Sequence, residues 1–312
     1  MSEDTPAWAG PARFLRPVEP TRRPDGTRHF SAMTYAVAFG YRPLQLDLWV
    51  PATSTPAPVV VWVHGGAFMM GDRRLLPETL RPDQVFQALT AAGLAVATID
   101  YRHALEAPFP AQLHDAKAAV RWLRAHAAEL AIGTERIGAW GESAGGYIAA
   151  LLGLTGHRPD LEGTHGVLGP SSSVDVVVDW YGLADLSTMP RKAPPPEIAA
   201  LLPEELRTPP EDHLLRGLTG DALADASPVA HVRADSPPFL LQHGTADWLV
   251  PCDQSTQLAA VMQSVGAPVI LEPVPGAGHI WLGHPDVDAI VDRSVRYLAD
   301  HLLPDPTGAQ HA

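Results

Sequence analysis

Six short apolar runs, separated by stretches of helical periodicity, constrain this chain most. They are PVVVWVH (Pro58 to His64), LAVATIDY (Leu94 to Tyr101), RIGAW (Arg136 to Trp140), VDVVVDWY (Val174 to Tyr181), PPFLLQH (Pro237 to His243) and PVILEPV (Pro268 to Val274). Near-continuous apolar runs of this length suit strands covered on both faces, as in a parallel sheet. Between them, Leu113, Ala116, Val120, Leu123, Ala127 and Leu130 fall on one face of a helix, as do Leu258, Val261, Met262 and Val265 before Gly266. Val287, Ile290, Ser294, Leu298 and Leu302 mark a last helix, and Met33–Phe39 with Leu44–Val50 read as an antiparallel pair at the sheet edge. The order predicts an α/β fold, a mostly parallel sheet with helices on both faces, as a single domain over 1–312.

One junction carries more glycine than packing asks for. In RIGAWGESAGGYIAALLG, Gly141, Gly145 and Gly146 surround Ser143 where a strand passes into a helix. Glycine weakens regular structure, so its use here implies a very tight turn. Gly141-Glu142-Ser143-Ala144-Gly145 fits G-x-S-x-G in strand–turn–helix context, a strained turn that holds a serine Oγ clear of the sheet above a helix N-terminus. Ser143 is therefore the expected nucleophile.

A nucleophilic serine needs oxyanion donors, a base and an acid. His64-Gly65-Gly66-Ala67-Phe68 follows the first buried strand, and the amides of Gly66 and Ala67, with that of Ala144, are the expected donors. His64 itself reads as a brace for that loop. The order Ser, acid, His points to Asp247 in Gly244-Thr245-Ala246-Asp247 and to His279 at the end of Pro275-Gly276-Ala277-Gly278-His279, each in a loop after a strand. His284, beside Pro285, reads as the entry to the last helix.

Composition limits the alternatives. A formal net charge of -13 disfavours nucleic acid and anionic membrane surfaces as partners. The single Cys252 excludes an intramolecular disulfide framework and a multi-cysteine metal site, and no H-E-x-x-H occurs, so neither metal nor cofactor is expected. The polar, proline-dotted start lacks a signal-peptide core, and no apolar run is long enough to span a membrane, so a cytoplasmic protein is expected. Leu183 to Pro238 holds ten of the 32 prolines with two short amphipathic pieces, Glu197–Leu202 and Glu211–Leu218. It is too long for a plain connection, and Leu201, Leu202, Leu206, Leu214, Leu215 and Leu218 give it something to bury, so 183–236 is expected to form a lid.

HGGAF, GESAGG, HGTADWLVP and GAGH in this order resemble the α/β-hydrolase serine esterases. The resemblance is to the bacterial branch of hormone-sensitive-lipase-like and feruloyl- and acetyl-esterase-like (BD-FAE-like) enzymes. LQLDLWVP, DYRHALEAPFPAQLHDAKAAVRWLRAHA and SPVAHVRADSPPFLLQHG extend it over roughly Tyr35 to Leu303. The resemblance implies an eight-stranded sheet and cofactor-free hydrolysis of a small-molecule ester through Ser143, Asp247 and His279. Arylformamidases, amidases and biosynthetic acyltransferases or cyclases share that triad, and some relatives of the fold only bind ligands. Phe68, Trp180, Tyr181, Trp248 and Trp281, at the expected carboxyl ends of strands, are candidates to wall the substrate pocket. Glu142 joins them as a neighbour of the nucleophile rather than a reacting group. Aromatic crowding there predicts short acyl chains, acetyl to butyryl. A homodimer is left open.

Overall fold

The computed structural model describes residues 16–38, 42–190 and 207–304. The strands are β1 (Thr21–Arg22), β2 (Arg28–Ala36), β3 (Leu44–Val50), β4 (Ala57–Val63), β5 (Ala95–Ile99), β6 (Ile132–Glu142), β7 (Val176–Trp180), β8 (Phe239–Gly244) and β9 (Val269–Val274). The helices are α1 (Gln84–Ala91), α2 (Ala111–Ala125), α3 (Ala127–Leu130), α4 (Ala144–Leu154), α5 (Pro210–Leu214), α6 (Asp221–Ala224), α7 (Asp253–Ser264) and α8 (Val287–Leu302).

All nine strands form one sheet in the order β1-β2-β3-β5-β4-β6-β7-β8-β9. The β1–β2, β2–β3 and β3–β5 pairs are antiparallel and the remaining pairs parallel. The expected eight strands become nine because the two-residue β1 adds to the edge. The six apolar runs are the six parallel strands, and the edge pair is antiparallel as expected, although β2 starts earlier, at Arg28. Phe39 lies outside the described residues.

Alternation along β4 shows why its run is continuous. Val59, Val61 and Val63 face one apolar layer with Leu113 and Trp122 of α2 and Ile148 of α4. Val60 and Trp62 face the other with Phe86 and Leu89 of α1 and Leu298 and Leu302 of α8. A strand with a helix layer on each side has no polar face to show. The expected helix from Leu113 to Leu130 is two, because His126 leaves helical geometry (φ −109°, ψ 14°) between α2 and α3. At the end of α7, Gly266 takes φ 77° and the Ala267 amide returns to the Met262 carbonyl (2.9 Å), the closing turn that glycine permits.

The described parts of the 183–236 insert are tied to the main body. Phe109 N–H donates to Leu214 O (2.8 Å) and the Tyr147 hydroxyl to Ala226 O (2.7 Å). Leu214 is fully buried, and Leu215 and Leu218 pack against the α2–α4 layer. Glu197–Leu202 and Leu206 lie outside the described residues. Among the described residues, no helix is long and apolar enough to cross a membrane.

Because β5 and β6 flank β4 on opposite sides, the chain switches direction at the carboxyl end of β4, where open α/β sheets hold their ligands. Just below that edge, on β7, Asp179 is 1% exposed and its Oδ1 accepts the Gly182 N–H (2.9 Å). Burial pushes its carboxyl from 3.8 up to about 7, against the opposing pull of His243 and the Gly182 N–H. The unfolded chain therefore loses this proton first, so the stability tied to it is complete below about pH 4 and is lost as pH rises through 7. Asp179→Asn keeps the acceptor and removes the titration. Its unfolding free energy, measured by urea titration, should gain on the wild type steadily between pH 4 and 7, and parallel curves would contradict the assignment.

Candidate active site

The turn from β6 into α4 accounts for the glycines. Ser143 sits in it with φ 54° and ψ −120°, a conformation that costs a residue with a Cβ about 1–3 kcal/mol. Its amide donates to Trp180 O on β7 (2.9 Å), which pins the turn to the sheet. A Cβ on Gly141 would strike the Gly145 carbonyl, and one on Gly145 the carbonyls of Val63 and His64. One on Gly146 would meet the Asp179 carboxylate. Three backbones converge here, and only glycine leaves room for them.

The loop leaving β4 meets this turn. Gly66, Ala67 and Phe68 all take positive φ (106°, 53° and 60°), and Gly66 O receives the amides of Met69 and Met70 (both 3.0 Å). This winding leaves the amides of Gly66 and Ala67 without a backbone acceptor among the described residues, as is the amide of Ala144 at the start of α4. Behind the loop, the buried His64 ring stacks on Tyr101 (4.5 Å), and its Nδ1 donates to Gly65 O (2.7 Å). Burial pushes that imidazole down to about 4, so it is a neutral brace. Further along, Arg73 anchors the loop through Asp47 (2.6 Å) and Asp100 (3.1 Å).

Glu142 joins the two pieces. Its side chain is 3% exposed, and Oε1 accepts the Gly65 N–H at 2.6 Å. Burial raises its carboxyl above the usual range, opposed by the His279 charge and the Gly65 N–H. Adjacency to the motif was the only sequence signal of this role, and Glu142 belongs under the loop rather than in the pocket wall.

Ser143, His279 and Asp247 lie in one hydrogen-bonded line. His279 Nε2 is 3.0 Å from Ser143 Oγ, and His279 Nδ1 is 2.7 Å from Asp247 Oδ2. All three are buried, and the Asp247 side chain has no exposure at all. Asp247 Oδ1 accepts the amides of Leu249 and Val250 (both 2.9 Å). Burial would raise this carboxyl, but the hydrogen bonds from His243 and His279, the His279 charge and the Val250 amide outweigh it and hold it at about 2. The His279 loop is fixed from outside by the Thr79 hydroxyl, which donates to Ile280 O (2.6 Å). His284 stands apart, its Nδ1 accepting the Asp286 amide (3.2 Å).

A cavity of about 50 Å³ opens beside Ser143, lined by Ala67, Phe68, Ala144, Leu183, Met189 and Val250, with Glu211 on its wall. A larger hollow of about 710 Å³ between Arg23, Thr53 and Gln87 lies on the amino-terminal side of the sheet, away from these groups. Of the expected aromatic walls, only Phe68 lines the cavity. Trp180 and Trp281 are fully buried on the α1–α8 side, edge to face at 5.3 Å, and the Trp180 indole donates to Gln242 (2.8 Å) and Ser294 (3.0 Å). As the last residue of β7, Trp180 takes the face that strand alternation dictates. Tyr181 is buried with its ring edge-on to His279 (4.8 Å), and Trp248 is 65% exposed on the rim. Cys252 is half-buried at the start of α7, where burial raises its thiol.

Comparison with known proteins places this arrangement in context. The BD-FAE family model matches residues 46–262. Esterase LipC of Mycobacterium tuberculosis is 33% identical over 248 residues, covering 78% of this chain and 58% of LipC. This chain spans about three fifths of the length of the curated relatives it matches. Among solved structures, a truncated carbohydrate esterase from gut microbiota superposes with a TM-score of 0.73 at 28% identity, over 95% of this chain and all of the other. Thermogutta terrifontis esterase 2, phosphorylated by paraoxon, superposes with a TM-score of 0.66 at 26% identity, over 88% of this chain and 96% of that one.

The Glu142–Gly65 contact can be tested without any assay of activity. Glu142→Leu leaves the buried Gly65 amide without an acceptor, which costs about 1–3 kcal/mol. Glu142→Gln keeps an acceptor and should lose less. Urea unfolding of the two variants should rank them in that order, and equal losses would show that the hydrogen bond is unimportant.

Proposed function

We propose that this chain, which belongs to the BD-FAE family of α/β-hydrolases, is a serine carboxylesterase acting on short-chain acyl esters of small soluble alcohols. The observation that carries this reading is the hydrogen-bonded line Ser143 Oγ–His279–Asp247. His279 Nε2 accepts the Ser143 proton as Oγ attacks the ester carbonyl, and Asp247 holds the imidazole tautomer and balances the imidazolium. The amides of Gly66, Ala67 and Ala144 receive the developing oxyanion, each such donor being worth about 10²–10³ in rate. His279 then protonates the departing alcohol, and water releases the acid by the same steps in reverse.

The size of the cavity supports a short acyl group. One water needs roughly 10–15 Å³ of such space, so a cavity of about 50 Å³ takes a few non-hydrogen atoms. The alcohol part is assigned to the other side of Ser143, where Trp248 and Leu282 stand 65% and 53% exposed in the loops of Asp247 and His279. The 183–236 insert acts as a lid in this reading, because Leu183, Met189, Pro190 and Pro210 supply walls of the cavity.

Two measurements test the reading. Ser143→Ala should lower turnover of an acetyl ester by at least about 10³-fold and abolish covalent labelling by an organophosphonate, with an unchanged thermal melt. Normal hydrolysis by that variant would refute the nucleophile. Across acetyl, butyryl, octanoyl and palmitoyl esters of one alcohol, kcat/KM should peak at or before butyryl. A maximum at octanoyl or beyond would refute the small pocket, and faster turnover of an arylformamide than of any ester would reassign the enzyme as an amidase.

A further inference from the structure

Asp247 serves two histidines. His243, in β8 and fully buried, places Nε2 2.9 Å from Val250 O and 3.5 Å from Asp247 Oδ2, the oxygen that also receives His279. Its Nδ1 lies 2.7 Å from Ser255 Oγ in the first turn of α7. The surroundings decide the tautomer. Nε2 faces a carbonyl and an ionised carboxylate, neither of which can donate, so Nε2 carries the proton. The Ser255 hydroxyl then donates to Nδ1, and the neutral ring is satisfied on both sides. His279 has the opposite arrangement, with Nδ1–H towards Asp247 and Nε2 open to Ser143 Oγ. Two imidazoles of opposite tautomer thus direct N–H groups at one carboxylate oxygen.

We infer that His243 is a positioning residue for the reaction. Its N–H fixes the acid loop through Val250 O and shares Asp247 Oδ2, so that this oxygen faces His279 with part of its charge already engaged. The inference rests on the esterase reading above and adds to it a residue that touches neither the nucleophile nor the cavity. Val250, whose carbonyl His243 holds, also lines the cavity, so the same ring couples the orientation of the acid to the wall of the acyl site. The titratable groups around it are Asp179 on β7, Asp247 in its own loop, His279 beyond Asp247, Tyr181 edge-on at 6.4 Å and Cys252 at the start of α7. Asp247 accepts the His279 N–H at 2.7 Å and lies 3.5 Å from His243 Nε2.

The consequence is a pH signature. Without the His243 N–H, the whole Asp247 charge bears on the His279 imidazolium, and the protonated, inactive form persists to higher pH. His243→Phe fills the space without a donor, and His243→Gln returns an amide N–H close to the Nε2 position. For kcat/KM on an acetyl ester, the rising limb of the pH profile should move up by about 0.5–1 unit in His243→Phe, with kcat down about 10-fold and KM within twofold. His243→Gln should restore most of both. Ser255→Ala, which leaves the ring in place and removes the hydroxyl that donates to its Nδ1, is the companion variant should His243→Phe not fold. It should shift the limb in the same direction by a smaller amount. A purely structural role would lower the melting temperature and the active fraction while leaving the limb where it is in the wild type. A folded His243→Phe with a wild-type profile, or an unshifted limb in Ser255→Ala alongside an unfolded His243→Phe, overturns the inference. Absence of ester hydrolysis by the wild type would overturn the esterase reading instead, so the two failures are distinguishable.

Discussion

The site depends on one crowded place, where the ends of β4 and β6 and the start of α4 touch backbone to backbone. Gly145 lies against the carbonyls of Val63 and His64, and Gly141 lies against Gly145. If a single Cβ stood there, α4 would have to move away from β4 and carry the Ser143 turn with it. The strained Ser143 turn and the wound Gly66–Phe68 loop are therefore two sides of one contact. Glu142 bonds them across the gap from below, through the Gly65 amide. The amides proposed to receive the oxyanion come from two loops and act as one only if the gap between those loops is fixed, and here it is fixed by the absence of side chains.

Three buried carboxyl groups near Ser143 are brought to different states by their surroundings. Asp247 collects N–H donors on both oxygens and stays ionised despite burial. Asp179 has the single Gly182 amide and is pushed up to about 7. Glu142 lies between these cases, holding one amide while burial raises it. Pairs of acids with opposed environments are the usual way a site separates a charged role from a structural one. By that logic the proposed catalytic acid is the carboxyl with the most donors, and the other two keep loops and glycines in place.

Much of this was legible in the sequence because it is local. The six buried strands show as continuous apolar runs, and the loops of Ser143, Asp247 and His279 each carry a glycine within three residues and follow a strand directly. What escaped was set by pairing across the sheet. Trp180 and Trp281 look like rim aromatics by position, but which face a strand-end side chain takes depends on register, which places Trp180 opposite Gln242. His243 was hidden for the same reason. It reads as the last residue of an apolar run, and its partners Val250 and Ser255 become neighbours only once the acid loop folds back over β8. The split of α2 from α3 was invisible because the apolar spacing continues across His126.

Backbone strain gathers at the same edge. Among the described residues nine without the freedom of glycine take positive φ, and six of them, Ala67, Phe68, Ser143, Tyr181, Ile280 and Trp281, belong to the loops at the carboxyl ends of β4, β6, β7 and β9. At about 1–3 kcal/mol each, such conformations persist only where the surroundings over-determine them. The surroundings here are two apolar layers, one on each face of the sheet, with Tyr181 and Trp281 locked edge to face at 4.8 Å beneath the His279 loop. Burying these aromatics in the core, rather than using them as pocket walls, is what lets the loops above hold strained shapes. The tryptophans that a substrate-centred reading assigns to recognition thus work at one remove. Through Tyr181, whose ring meets Trp281 and His279 each at 4.8 Å, they pack beneath the histidine that stands 3.0 Å from Ser143, and the smaller, aliphatic residues around Phe68 are left to line the cavity.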